Sequence, residues 1–328
     1  MSQVTAKVNR EVQAFLQDLN GKTIDHVFFV ACGGSSAIMY PSKYVFDRES
    51  KSINSDLYSS NEFIQRNPAQ LGKTSLVILC SHSGNTPETV KAASFARGKG
   101  ALTMAMTYEP ESPLAQEAQY VAQYDWGDEA LAINTNYGVL YQIVFGTLQV
   151  LENNTTFEQA IEGLDQLQAV YEEALKQEAD NAKQFAKAHE KENIIYTMAS
   201  GANYGVAYSY SICILMEMQW IHSHAIHAGE YFHGPFEIID ESVPFIILLG
   251  LDETRPLEER ALTFSKKYGK KLTVLDAASY DFTAIDDSVK GYLAPLVLNR
   301  VLRRYADELA EARNHPLSHR RYMWKVEY

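Results

Sequence analysis

The sequence predicts an α/β fold of two tandem doubly wound domains, each a parallel sheet flanked by helices. Three observations predict it. Short continuous apolar runs, the mark of strands buried on both faces, alternate with stretches of helical period. Two of those runs open directly into glycine and hydroxyl residues, at 32–36 and 81–86, and then into helices. From residue 194 the alternation starts again. Folds of this kind bind ligands at the carboxyl ends of their strands, where both loops sit.

Residues 3–19 carry Val8, Val12, Phe15, Leu16 and Leu19 at helical spacing and stop at Asn20-Gly21, which predicts a leading helix. A buried strand over 27–31 opens into Cys32-Gly33-Gly34-Ser35-Ser36, with a helix over 37–46. A strand over 55–59 and a helix over 61–65 precede the strand at 77–80, which runs into Ser81-His82-Ser83-Gly84-Asn85-Thr86. Thr86 suits an N-cap, Pro87 the first helical position, and Glu88 the positive end of the helix dipole. Free amides, a glycine that lets the backbone come close and three hydroxyls make a cradle for a phosphate dianion. Strands at 101–107 and 121–124 and helices at 134–151 and 157–188 lead to the joint between the halves.

The second half reads as a strand at 194–198, the loop Ser200-Gly201-Ala202-Asn203, a long helix over 204–221, a strand at 245–251, a helix at 257–268 and a strand at 272–275. Setting Val77 on Phe245, an offset of 168 residues, brings Thr86 onto Thr254, Ser81 onto Leu249 and Ser83 onto Leu251. The second copy has lost the hydroxyls, so anion binding belongs to the first. The domains are therefore placed at 1–155 and 156–328.

Composition narrows the function. The 328 residues are 46% hydrophobic and 21% charged, with a formal net charge of −12. That balance argues against a nucleic-acid surface; Arg303, Arg304, Arg313, His319, Arg320 and Arg321 near the C-terminus are the one basic cluster of note. Cys32, Cys80 and Cys213 are odd in number and embedded in apolar sequence, as reduced core thiols are. The N-terminus lacks a secretory apolar region, and runs such as 243–249 fall far short of the roughly 20 residues of a membrane span. A cytoplasmic protein with no membrane partner is expected.

The richest chemistry lies in 216–235, with four histidines and two glutamates. Glu217 has Cys213, Ile214, Trp220 and Ile221 three and four residues away on the predicted helix. A carboxylate on such a stripe is desolvated and its pKa rises towards that of a general base; a Glu paired with a neighbouring helix is the plainer alternative. His233 precedes Gly234-Pro235 at a loop edge, where an imidazole moves protons near neutral pH. His222, His224 and His227 suggest a metal shell if His-x-His lies on a strand, but the fixed spacings of zinc motifs are absent, so no metal site is expected.

Cys-Gly-Gly-Ser-Ser (32–36), Ser-His-Ser-Gly-Asn-Thr (81–86) and Ala-Gly-Glu-Tyr-Phe-His-Gly-Pro (228–235) together resemble the sugar isomerase (SIS) domain family, in the two-domain arrangement of the isomerase half of glucosamine-6-phosphate synthase. Within it the chain most resembles the fructosamine-6-phosphate deglycases, fructoselysine-6-phosphate deglycases in particular. The resemblance implies two tandem SIS-type domains. It implies that Ser35, Ser81, Ser83 and Thr86, with backbone amides near His82, hold a sugar phosphate. It implies that Glu217 is the acid/base at C1 and C2, that His233 assists ring opening or acid catalysis, and that no metal or nicotinamide cofactor is needed. The synthase relatives share sites between subunits, so a homodimer or higher oligomer is expected. The chain departs from the synthases in lacking their C-terminal Schiff-base lysine, and a substrate that already carries its amine on C1 needs none. A sugar-phosphate isomerase or a non-catalytic sensor are the other readings.

Overall fold

The computed structural model describes residues 5–327 of the chain. Two compact units result, Met1–Gln168 with Ala284–Val289, and Ala169–Thr283 with Lys290–Tyr328.

In the first unit α1 is Arg10–Leu19, shorter than the helix expected over 3–19. Residues 3 and 4 lie outside the described residues, and Asn9 sets the start because its side-chain oxygen accepts from the amides of Glu11 and Val12. Next come β1 (His26–Ala31), α2 (Gly33–Ala37), α3 (Met39–Glu49), β2 (Asn54–Ser59), α4 (Ser60–Arg66) and β3 (Ser75–Cys80). They are followed by α5 (Pro87–Gly98), β4 (Leu102–Thr107), α6 (Pro113–Glu117), β5 (Tyr120–Gln123) and α7 (Asn136–Glu152). The helix expected from residue 37 begins at Gly33 instead: the glycine loop is itself the first helical turn, entered through the left-handed φ of +55° at Gly33. The strands pair in parallel in the order β2-β1-β3-β4-β5. β1 and β3 are buried along their whole length, as their unbroken apolar runs require. Phe28, Val30, Val77 and Leu79 meet Phe63, Ala92 and Ala96 in one core; each large apolar side chain so buried contributes about 1.5–3 kcal/mol.

The long helix α8 (Phe157–His189) contains the division between the units. In the second unit β6 (Tyr196–Ala199) leads into α9 (Tyr204–Ser209), then β7 (Ala225–His227), β8 (Phe245–Leu249), α10 (Arg255–Tyr268), β9 (Leu272–Asp276) and α11 (Asp287–Ala312). The parallel order is β7-β6-β8-β9, which repeats the first four positions of the other sheet. Thr86 and Thr254 are both N-cap residues, as the repeat register requires. The long helix expected over 204–221 is corrected in kind. It is α-helical only to Ser209 and winds as a π-helix over Tyr210–Met218. It ends at Trp220, whose φ of +56° is left-handed, a conformation that costs an L-residue of this size about 1–3 kcal/mol. Among the described residues no helix is long and apolar enough to cross a membrane.

Candidate active site

In the first sheet the order reverses between β1 and β3, and that switch point is where a parallel α/β sheet opens a ligand crevice. Ala31 lies beside Cys80 in register, so the residues after each strand end meet. Half-buried Ser35 lies beside the Cys80 thiol, which burial pushes up to about 12, Ser35 opposing. Buried Ser81 and half-buried Thr86 share a hydroxyl contact of 2.9 Å across the loop. Thr86 caps α5 by position, but its side chain makes no capping bond and is turned to Ser81. Ser83 is exposed, its hydroxyl accepting only the 3.3 Å bond from the Asn85 amide. Among the described residues the backbone N–H groups of His82, Ser83 and Thr86 donate to no acceptor in the chain. The loop therefore presents hydroxyls and free amides together, the donor set of an anion cradle.

Gly84 makes this loop possible. Its φ is +64°, and a Cβ there would lie 1.9 Å from Ser112 Oγ. The loop is tied down on its far side, where the His82 carbonyl accepts from Tyr108 N (3.0 Å) and Thr107 Oγ1 (3.2 Å). The His82 imidazole stacks on Tyr108 and faces Trp126, and its Nδ1 lies 3.1 Å from the Tyr124 hydroxyl. Burial lowers its pKa, with Glu109 opposing. With its ring held among these aromatics, His82 presents its backbone amide to the loop.

In the second unit Glu217 lies near the end of the π-helix, a feature that recurs at functional sites. The wider winding displaces the i±3 and i±4 neighbours expected of an α-helix, and Glu217 lines a cleft with Ile212, Met216 and Trp220. Its carboxylate pairs with Arg320 at 2.7 Å. Burial raises the pKa of Glu217 and Arg320 opposes the rise. The result is a half-buried carboxylate in apolar surroundings, available as a base and held by one cation.

His233 closes the short 3-10 turn Tyr231–His233 and is exposed; Gly234, at φ +139°, turns the chain into Pro235. Among the described residues no hydrogen bond or ion pair joins His233 to Glu217. The His-x-His pair is corrected: His222 and His224 precede β7 and act through their backbones. His222 exchanges bonds with Asn193 and Ile195, and the His224 carbonyl accepts from Thr197. His227 accepts from the Gly229 amide through Nδ1. Among the described residues no group of three or more His, Cys, Asp or Glu is placed to hold a metal ion.

Two parts of the site escaped the sequence reading. The aromatic wall of Tyr108, Tyr124 and Trp126 gave no periodic signal. Arg320 stood out as part of a basic cluster, but nothing tied it to Glu217.

A match to the SIS domain family covers residues 22–150. Over all 328 residues of both chains the protein is 95% identical to fructosamine deglycase FrlB of Bacillus subtilis. It is 30% identical to the fructoselysine 6-phosphate deglycase of Escherichia coli, over 95% of this chain and 89% of that one. A Bacillus subtilis crystal structure described as a candidate phosphosugar isomerase superposes with a TM-score of 1.00, at 95% identity and full coverage of both chains. With its cradle at a sheet switch point and these relatives across its whole length, the chain belongs to the fructosamine deglycases of the SIS domain family.

Proposed function

We propose that the protein is a deglycase that splits 6-phosphofructosamines into glucose 6-phosphate and a free amine. The observation that carries the reading is Glu217, a half-buried carboxylate on a π-helix in a chain with this ancestry. The first domain, 1–155, binds the phosphate through the hydroxyls of Ser35, Ser81, Ser83 and Thr86 and the amide of His82. The second, 156–328, supplies the proton chemistry. Phosphate is a remote group whose binding energy positions the reacting carbons.

His233 assists opening of the sugar ring. Glu217 takes a proton from C1, giving an enaminol with the nitrogen still on C1, and a proton returned to C2 converts it to the C1 imine. Water adds to C1, the C–N bond breaks, the amine leaves with a proton, and C1 becomes the aldehyde. One base of raised pKa and one imidazole suffice for these transfers. The exposure of His233 fits a site completed by a second copy, so we expect a homodimer or larger oligomer. Unpaired thiols at Cys32, Cys80 and Cys213 fit the cytoplasm.

The test is release of glucose 6-phosphate from 6-phosphofructosyl-lysine, followed with a coupled dehydrogenase. Wild type is expected to turn over, Glu217→Gln to lose about two orders of magnitude or more, and His233→Ala to fall as well. Isomerised sugar phosphate with no free amine would replace this reading with that of an isomerase.

A further inference from the structure

The cleft beside Glu217 encloses about 650 Å³ and is closed on one side by the C-terminal segment, from which Arg320 and Arg321 line it. Its walls are apolar at Ile212, Met216 and Trp220. Arg320 is only 8% exposed. One terminal nitrogen donates to the carbonyls of Leu317 and His319, the other to Glu217, and Nε is buried with no partner. Arg321 is exposed, stacks over Trp220 at 4.4 Å, and has no carboxylate within ion-pair distance among the described residues. Two guanidinium groups thus face a single carboxylate across apolar walls. The cleft carries one positive charge in excess, the charge balance of a receptor for an anion.

The pairing also has a cost for chemistry. While Arg320 donates to Glu217, it competes for the electron pair that must receive the C1 proton. We infer that Arg320 and Arg321 bind the carboxylate carried by the amine half of the substrate, and that Arg320 leaves Glu217 to do so, freeing that oxygen as the base. The inference rests on the deglycase reading and adds to it a specificity device on the C-terminal segment: an amine without a carboxylate leaves Glu217 held. The same guanidinium groups are chemically suited to a phosphate, so the test must separate the two anions.

Two adducts separate them, 6-phosphofructosyl-glycine and 6-phosphofructosyl-methylamine, which share the phosphate and differ in the carboxylate. Reducing C2 to the alcohol gives forms that bind without turnover, and their dissociation constants are read by calorimetry. Wild type is expected to bind the reduced glycine adduct about tenfold tighter or more, as a charged bidentate contact gives. In Arg321→Met, a change at an exposed side chain, that ratio falls to within about twofold of one. At saturation wild type is expected to release glycine from the unreduced adduct about tenfold faster than methylamine or more, because only the carboxylate draws Arg320 off Glu217. Equal binding of the two adducts by wild type, or a ratio that survives Arg321→Met, overturns the assignment. Equal weakening of both adducts in Arg321→Met overturns it in favour of phosphate. Equal release of the two amines at saturation overturns the release of Glu217. If wild type frees no amine from either unreduced adduct, the deglycase reading fails by itself, and the binding ratios still judge the two arginines.

Discussion

The two sheets place the same structure at the same point and use it differently. At the β1/β3 switch Gly33 takes a left-handed φ of +55°, and a Cβ there would meet nothing within 4 Å. At the β6/β8 switch Gly201 takes φ +49°, but its Cβ would lie 2.3 Å from Thr254 Oγ1 and 2.8 Å from Asp252 Oδ1. The second crevice is filled from within. Glu258, on α10 and fully buried, accepts from the amides of Ser200 (2.9 Å) and Gly250 (2.7 Å) and from the Ser200 hydroxyl (3.1 Å). In the repeat register Glu258 falls on Val90 of the first copy. A switch point between parallel strands exposes amides that need an anion or water. One copy leaves them without an acceptor in the chain, and the other satisfies them with its own carboxylate.

Removing that carboxylate should break the comparison most severely. Glu258→Ala leaves the Ser200 and Gly250 amides buried and unpaired and opens a cavity, at about 3–5 kcal/mol. The apparent melting temperature should fall by about 10 °C, while the open first cradle, unchanged, still binds phosphate. Burial raises the pKa of Glu258 to about 7 from an ordinary value of 4.5, the amide donors opposing. A folded pKa raised above the unfolded one means stability that is complete below about pH 4.5 and lost as pH rises through about 7, a total of about 3 kcal/mol. Glu258→Gln does not titrate, so its deficit relative to wild type should be widest near pH 5 and narrow towards pH 8. Thermal melts of the two proteins across that range check the sign; a gap that does not change with pH means the carboxylate is ionised throughout.

The paired glycines sharpen the comparison with a smaller effect. Gly33→Ala should cost only the left-handed backbone, about 1–2 kcal/mol, because the space is open. Gly201→Ala adds the clash with Thr254 and Asp252, a further 1–3 kcal/mol or so. Urea denaturation of both variants measures the difference; equal costs would mean the second crevice yields as easily as the first.

Much of this contrast was legible in the sequence, and the illegible part has physical causes. The unbroken apolar runs of β1, β3 and β8 declared strands buried on both faces, and Thr86-Pro87 declared the start of α5. Leu249 and Leu251 stand in the register of Ser81 and Ser83, so the second loop lacks the hydroxyls of the first. That Glu258 plugs it was hidden, because a glutamate in the first turns of a helix looks the same whether it points at solvent or at strand ends. The π-winding over Tyr210–Met218 was hidden too, since an apolar stretch such as Tyr-Ser-Ile-Cys-Ile-Leu-Met carries no mark of its pitch. In the sequence Glu217 is a candidate base through its α-helical neighbours. The structure keeps it on an apolar face through a different winding, beside an arginine whose pairing is a long-range event that no local pattern encodes.

The smallest effect concerns the hydroxyl that the second copy lacks. Ser81→Ala removes the 2.9 Å contact with Thr86, but Thr86 is half-buried and can turn to water, so the stability cost should stay near 1 kcal/mol. Function should suffer more than stability. A phosphate held by several neutral donors loses one of them equally in the ground and transition states, which raises KM by about tenfold and leaves kcat nearly unchanged. Steady-state kinetics on a 6-phosphofructosamine separate the two constants. A fall in kcat at constant KM would place Ser81 at the reacting carbons instead of the phosphate, and the division of labour between the two crevices would have to be drawn elsewhere.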